Sequence, residues 1–436
     1  MPRLTLLAAA TAVAFTGFAH AQDLTPQELQ AQLTQLTQEV NQLKQQQAAN
    51  ATATPSKPSA PAFEIGGRIQ LDYNLFNGAY NAEHNGSSAQ DIFPRRVRTF
   101  VEGELQDWDY KLLLEFAENT AEIVMARMRY SGFENGPKLQ FGKLREDISL
   151  DALTSSNHIA LIERSSLADT VSPYFRWGVS AYQYFPSTGL RYALGVYKND
   201  AFGSDGKDET DDLNYALSSR VTWSQAKEPG QVLHAGLWYS ARQMGGDDLS
   251  ASFARGELRE TNTRLINYVA GGETAAIDHL NQAGLELAFQ HNTLLLQGEY
   301  ALRSLNTQDP QSVLDGERYQ AYYLQASYFL TGEQRSYSKG SAVFSQPKGV
   351  THAWELAARF SSVDASSDFQ GIQAQGIRAQ GTRAQTYTLG VSYYFNPKIK
   401  VMANYIHSTV DGAGTIALVG NEDVGDAFAA RLQYVF

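Results

Sequence analysis

From Phe63 to Phe436 the chain repeats one pattern, in which apolar and polar residues alternate with a period of two. In the first segment Ile65, Ile69, Leu71, Tyr73 and Leu75 share one face, and Glu64, Arg68, Gln70, Asp72 and Asn74 share the other. In the last, Phe428, Ala430, Leu432, Tyr434 and Phe436 alternate with Arg431 and Gln433. This alternation belongs to strands with one apolar and one polar face, not to helices. No apolar run after the first 20 residues is long enough to cross a membrane as a helix. Barrel strands alternate lipid-facing and lumen-facing residues, so their mean hydropathy stays low. A chain with 23 Tyr, 21 Phe and 35 Gly suits many strands joined by many turns.

Between the two ends, strands are expected near 93–105, 108–117, 122–132, 137–145, 176–185, 189–198, 212–224, 231–243, 280–291, 292–303, 317–331, 351–362, 384–396 and 397–409. With the end segments this makes sixteen, an even number as single-chain bacterial barrels require. Connections after even-numbered strands are mostly tight, as at Gln106-Asp107, Pro186-Ser187-Thr188 and Asn396-Pro397. Those after odd-numbered strands are mostly long, as at 76–92, 146–175, 244–279 and 363–383. Short turns at one end and long loops at the other mark an outer-membrane barrel. Two connections break the rule: 118–121 is too short, and 332–350 is too long for a periplasmic turn. A β-sandwich of this length would divide into domains with visible linkers, and a propeller would show a blade-length repeat. The expected fold is therefore all-β, a sixteen-stranded antiparallel transmembrane β-barrel over residues 63–436, with a short N-terminal coiled-coil helix.

The N-terminal part reads differently. Arg3, the apolar run LTLLAAATAVAFTGFA and Ala19-His20-Ala21 read as a secretory signal peptide over residues 1–21. In the segment 22–47, Leu29, Leu33, Leu36, Val40 and Leu43 are spaced as a heptad seam. Thr25 and Glu28 make a capping box there, with Pro26 at the first helical position. Residues 48–62 are a Pro/Ala/Ser/Thr linker. Cysteine is absent, which excludes disulfides and thiolate metal sites, and a net charge of −11 argues against nucleic-acid binding.

If the apolar faces meet lipid, the polar faces line a lumen. Inward positive residues are then Arg68, Arg96, Arg98, Lys111, Arg127, Arg129, Lys138, Arg191, Arg220, Arg242, Arg359, Lys400 and Arg431. Inward acids are Glu64, Asp72, Glu102, Glu104, Glu115, Glu286, Glu299 and Glu355, so the lumen has a positive excess. The acids of the acidic chain concentrate in loops such as 204–212 and at Asp247-Asp248. Inward Arg and Lys favour anions, and the guanidinium fork binds two oxygens at once. The same arginines are equally able to pair across strands and only stiffen the wall. Loop 146–175 carries Ile159, Leu161 and Ile162, which need burial and would find it inside the barrel mouth. Loop 244–279 carries Arg255, Arg259 and Arg264, spaced to form a basic ladder or to sit solvated at the surface.

The stretches FEIGGRIQLDYNLF, PRRVRTFVEGEL with DWDYKLLLEF, LQFGKLREDISLDALTSS with ERS, FLTGEQRSYS, AWELAARFSS and the terminal RLQYVF occur in order over residues 63–436. Together they resemble the phosphate-selective porin O and P family. The resemblance implies a sixteen-stranded barrel assembled as a homotrimer, with a constriction made by the third long loop and an arginine ladder leading to it. Arg95 and Arg96 match the paired arginines that such porins place in the pore, and Arg255, Arg259 and Arg264 fall where the ladder loop lies. The chain departs from the family pattern at Ala152, where phosphate-specific members carry a constriction lysine, and near Val124, where they carry an acid. A broader anion-preferring or general porin fits these departures better than phosphate selectivity.

The expected function is passive diffusion of small hydrophilic solutes across the outer membrane of a Gram-negative bacterium, with anions such as phosphate preferred. The candidate anion pathway comprises Arg95, Arg96, Arg98, Arg127, Arg129, Lys143, Arg255, Arg259 and Arg264. Expected partners are further copies of the chain, outer-membrane lipid, lipopolysaccharide and small anions. A barrel enzyme would need a nucleophile with a base in reach, and none of the eight histidines sits at a recognisable spacing from a serine. No His/Asp cluster has metal-ligand spacing, and no cofactor is implied. A purely structural envelope tether, built on the coiled coil, is the remaining alternative.

Overall fold

A computed structural model describes residues 62–117, 121–199, 214–244, 252–259, 264–267, 276–312, 315–365, 383–411 and 424–436. The expected signal peptide and coiled coil, the linker up to residue 61, and the acidic stretches 204–212 and Asp247-Asp248 lie outside the described residues.

Each alternating segment forms a strand: β1 (Ala62–Phe76), β2 (Ala89–Leu105), β3 (Trp108–Glu115), β4 (Glu122–Tyr130), β5 (Lys138–Arg145), β6 (Phe175–Phe185), β7 (Leu190–Lys198) and β8 (Tyr215–Glu228). They continue with β9 (Gln231–Gln243), β10 (Ile277–His291), β11 (Leu294–Thr307), β12 (Arg318–Phe329), β13 (Ala353–Asp364), β14 (Arg383–Tyr394), β15 (Ile399–Asp411) and β16 (Val424–Val435). The sixteen pair in sequence order, and β16 returns to β1 to close the barrel. Closure leaves no open sheet edge, the condition for strands to lie in lipid. The seam ends where the Gly67 N–H donates to the Phe436 carbonyl (3.0 Å) and the Phe436 N–H donates to the Gly67 carbonyl (3.1 Å). The Phe436 ring lies over Gly67, where a Cβ would stand 2.5 Å from it, so the terminal aromatic needs the glycine.

The barrel is apolar outside and charged inside. Ile65, Leu237, Leu324 and Leu389 are each more than half exposed on the outer face, whereas the largest buried side chains are led by Arg220, Arg242 and Arg431. Alternation along each strand produces this inversion, because a two-residue period sends successive side chains to lipid and to lumen.

Three connections fold into the lumen and fill much of it. The loop 146–174 carries two short helices, α1 (Leu150–Leu153) and α2 (Ser166–Val171). Its apolar residues Ile159, Leu161 and Ile162 are buried, as their need for burial inside the mouth led one to expect. From the loop between β9 and β10, Glu257 reaches across to Arg359 of β13 (2.9 and 2.5 Å), Ser361 and Thr388. The third is the segment 330–352, which enters from the short-turn end. A small ribbon within it pairs Ser336–Ser338 with Val343–Ser345. Its excess length is explained by this inward course. Arg335 forks onto Glu355 (2.8 and 2.6 Å), and the carbonyls of Gly340, Ser341 and Ala342 accept from Arg191 and Arg220. Phe344 then packs with Leu150 of α1, so segments from opposite ends meet in the middle of the barrel.

Candidate functional site

The site starts from a break in the β1–β2 register. Gln70 faces Arg96 and Leu71 faces Pro94, which leaves Arg95 as an extra residue. Such a bulge lets consecutive side chains share one face of a sheet. Both arginines accordingly reach the same lumenal carboxylate: Glu163 lies 2.8 Å from Arg95 Nε and 3.8 Å from Arg96 Nη2. Arg431 Nη2 (2.8 Å) and Arg259 Nε (3.7 Å) complete its cationic shell. Arg431 also forks onto Asp72 at 2.6 Å through both nitrogens, and Arg96 donates to Gln70 Oε1 (2.8 Å). Burial works to raise the Glu163 carboxyl, yet the guanidiniums of Arg95, Arg96, Arg431 and Arg259 hold it well below the usual carboxylate range.

Beside this cluster lies a cavity of about 510 Å³. Arg68, Arg95, Arg96, Arg98, Arg145, Arg164 and Arg259 all border it, together with Ser155, Ser156 and Asn157 of the inward loop. Three of these cations have only neutral partners. Arg68 Nη1 donates to Asn157 Oδ1 (2.7 Å), and Arg145 Nη1 donates to the Leu153 carbonyl (3.0 Å). Arg164 donates to the carbonyls of Asp151 (3.0 Å) and Thr154 (2.6 Å). Among the described residues no carboxylate comes within ion-pair distance of Arg68, Arg145 or Arg164. Carbonyl oxygens orient a guanidinium without cancelling its charge. Three such charges around one cavity give a local potential that attracts anions. The Nε–H groups of Arg68 and Arg145 are buried without an acceptor among the described residues.

The other expected pathway residues divide into several kinds. Arg98 is paired with Glu115 on the next strand (2.5 Å), and Arg127 and Arg129 both hold Asp109 (2.6 Å each). These are cross-strand pairs that stiffen the wall, and Arg98 alone of the three also borders the cavity. Arg259 joins Glu163 and Asp169 (2.8 Å). Arg255 and Arg264 gather near the same Asp169. Burial and the neighbouring Arg259 push Arg255 down to about 10, while burial also lowers Arg264. Lys143 stands apart from this group. It stands across from Ala126 and Trp177, and Trp177 is 45% exposed on the outer face. Lys143 itself is buried, at 8% exposure, and does not border the cavity.

The inward loop is fastened from several strands. Glu299 of β11 accepts from the backbone N–H of Leu150 (3.0 Å) and Asp151 (2.7 Å) and from the Ser149 hydroxyl (3.1 Å). Lys400 Nζ of β15 donates to the carbonyls of Asn157 and Ile159 (3.2 Å each). Ala152 is buried within α1, with its N–H bonded to Ser149 Oγ (3.1 Å). His158 also borders the cavity; burial, with Lys400 and Arg335 nearby, pushes its imidazole down to about 4, so it is neutral at physiological pH.

Sequence reasoning placed Arg68 in the lumen but not in the pathway, and it missed Arg145 and Arg164. Each of the last two stands beside an acid in sequence, Arg145 next to Glu146 and Arg164 next to Glu163. Both acids turn to other arginines in space: Glu146 pairs with Arg242, and Glu163 with the cluster above. Sequence adjacency therefore hid the uncompensated charge.

A family model described as phosphate-selective porin O and P matches residues 63–436. Porin O of Pseudomonas aeruginosa is 28% identical over 401 residues, covering 86% of this chain and 88% of that protein. An anion-selective porin from Comamonas acidovorans shares the fold with a TM-score of 0.55 at 11% identity, covering 86% of this chain and 100% of the other. A trimer form of OmpT from Vibrio cholerae gives a TM-score of 0.55 at 12% identity, with the same coverages of 86% and 100%.

Proposed function

The chain belongs to the phosphate-selective porin O and P family, whose barrels lie in the outer membrane of Gram-negative bacteria, and on that premise we propose that its lumen passes small hydrophilic anions by passive diffusion. The observation that carries this reading is the trio Arg68, Arg145 and Arg164, three cations bordering one cavity with no carboxylate partner among the described residues. An anion arriving there gains a full charge interaction, whereas a cation meets uncompensated repulsion. Inorganic phosphate is one candidate among several, since Ala152 and Val124 stand where phosphate-specific members carry charged groups. A non-selective general porin is the second reading. It is favoured by the pairing of Arg98, Lys111, Arg127 and Arg129 with Glu115, Glu102 and Asp109, which neutralises much of the wall.

Reversal potentials in a potassium chloride gradient across a planar bilayer separate the two. An anion-favouring potential that falls when Arg68 and Arg164 are both replaced by Gln is expected. A potential near zero in the wild type would support the general porin instead. The assembly expected is a homotrimer, supported by the trimer form of one neighbour of the same fold. Native electrophoresis of the folded protein at three times the mass of the barrel is the corresponding check.

A further inference from the structure

The cavity has a second wall, and it is apolar. Phe100 of β2 faces Leu113 of β3, and Leu113 faces Met125 of β4, so the three form one row across adjacent strands. The β3–β4 register then slips: Leu113 faces Met125 but Leu114 faces Ile123, which makes Val124 an extra residue. Val124 and Met125 consequently both border the cavity, while Ile123 stays on the outer face. The row is bounded on both sides by charge. Arg68, Arg98 and Glu115 form the neighbouring row toward one end, and Glu102, Lys111 and Arg127 the row toward the other. Phe100 is seated over Gly66 of β1, where a Cβ would come within 2.6 Å of its ring, and Lys111 Nζ lies 4.1 Å from the ring centroid. Position and orientation of the aromatic are thus fixed by its neighbours.

An inward apolar row is unexpected in a water-filled lumen, where the alternation should present polar groups. It interrupts the alternation in KLLLE and EIVMA, where both faces of the sheet are apolar. It also borders the same cavity as Arg68, Arg145 and Arg164. We propose that this cavity is built for organic anions with a compact carboxylate head and an apolar body of about the size of benzoate, the head held by the three arginines and the body against Phe100, Leu113, Val124 and Met125. A small inorganic oxyanion is hydrated on every side, and an apolar row has no donors to replace that shell. An aromatic carboxylate loses water from its ring to advantage and keeps its charge on the guanidiniums. The inference rests on the anion-preferring reading and names the substrate class of that same cavity.

The test uses the full-length protein in a planar bilayer at neutral pH. The chloride reversal potential is measured first, then the block of chloride current by benzoate, acetate and inorganic phosphate. Benzoate should half-block at a concentration at least tenfold below acetate and below phosphate. In the Leu113→Asn/Met125→Gln double variant the benzoate-to-acetate ratio should fall toward one. Val124→Thr, which preserves shape and is expected to fold where the double variant does not, should lower the ratio severalfold. Equal block by benzoate and acetate, or stronger block by phosphate, with an anion-favouring reversal potential would overturn this inference and leave the anion channel standing. A benzoate advantage that survives in both variants would remove it from this row and overturn the assignment. A cation-favouring reversal potential would bring down the anion reading itself, and the inference with it.

Discussion

Glu163 holds one negative charge among the guanidiniums of Arg95, Arg96, Arg259 and Arg431. It has two effects that pull apart on substitution. It fixes the geometry of the cluster, and it cancels part of the cluster's field toward the pore. Removing one member of a buried ion pair typically costs about 3–5 kcal/mol, because the partner charge is left uncompensated. Glu163→Gln should therefore lower the temperature at which the folded barrel loses its compact electrophoretic mobility, and should move the reversal potential further toward anions. A shift toward cations would mean that the carboxylate matters only as a scaffold. The pH dependence follows in sign. A carboxyl held below its ordinary value contributes stability that is fully present above its unfolded pKa of about 4.3, and that is lost only as pH falls through the lower folded value. The difference between wild type and Glu163→Gln should then stay constant from neutral pH down to about 5. A difference that fades between pH 7 and 5 would contradict the depressed value.

At the scale of elements, the inward loop behaves as a separate piece clipped to the wall. The helix α1 has only four residues, too few to be stable alone, so its position depends on what receives its N-terminal N–H groups. Glu299 receives them and also accepts from Tyr323 (2.9 Å). A typical intramolecular hydrogen bond contributes about 0.5–1.5 kcal/mol net. Glu299→Ala should release this end of the loop, and single-channel records should show fluctuation among sublevels in place of one steady current. A quiet trace at wild-type conductance would show that the Lys400 contacts hold the loop without it. The segment 330–352 is clipped in the same manner by Glu355, Arg191 and Arg220, from the opposite end. Its length set it apart from the other short turns in the sequence, but length says nothing of direction. The pairing of Arg335 with a strand carboxylate, and the carbonyls that accept from Arg191 and Arg220, show that the segment turns inward.

At the scale of the molecule, the barrel is closed by its own ends. β1 meets β16 along nine residue pairs from Arg68–Val435 to Phe76–Ala427, and residues 60–436 form one compact unit. Sixteen strands closed in this way need nothing upstream of β1 to satisfy their backbones. Deleting residues 22–62, while keeping the export signal, should give a barrel whose unheated sample still migrates as folded and whose assembly size equals the wild type's. A folded monomer would assign assembly to the heptad seam Leu29–Leu43 instead.

The sequence by itself determined the wall. Strand number, face assignment, closure to the last residue and the inward course of loop 146–174 all follow from a two-residue period and from loop lengths. Those are local properties, repeated often enough to survive errors at single boundaries. Which charges remain uncompensated is not local. Arg98 looks like a pore residue and is paired across one strand, whereas Arg145 and Arg164 look paired in sequence and are not. Lys143 stands across from Trp177 because register counts from a partner strand, and that partner is fixed only by the closed sheet. The two bulges, at Arg95 and at Val124, decided the rest. One extra residue reverses the facing of its neighbours, so an arginine pair and an apolar row came to border one cavity where a strict alternation would have sent half of each to lipid.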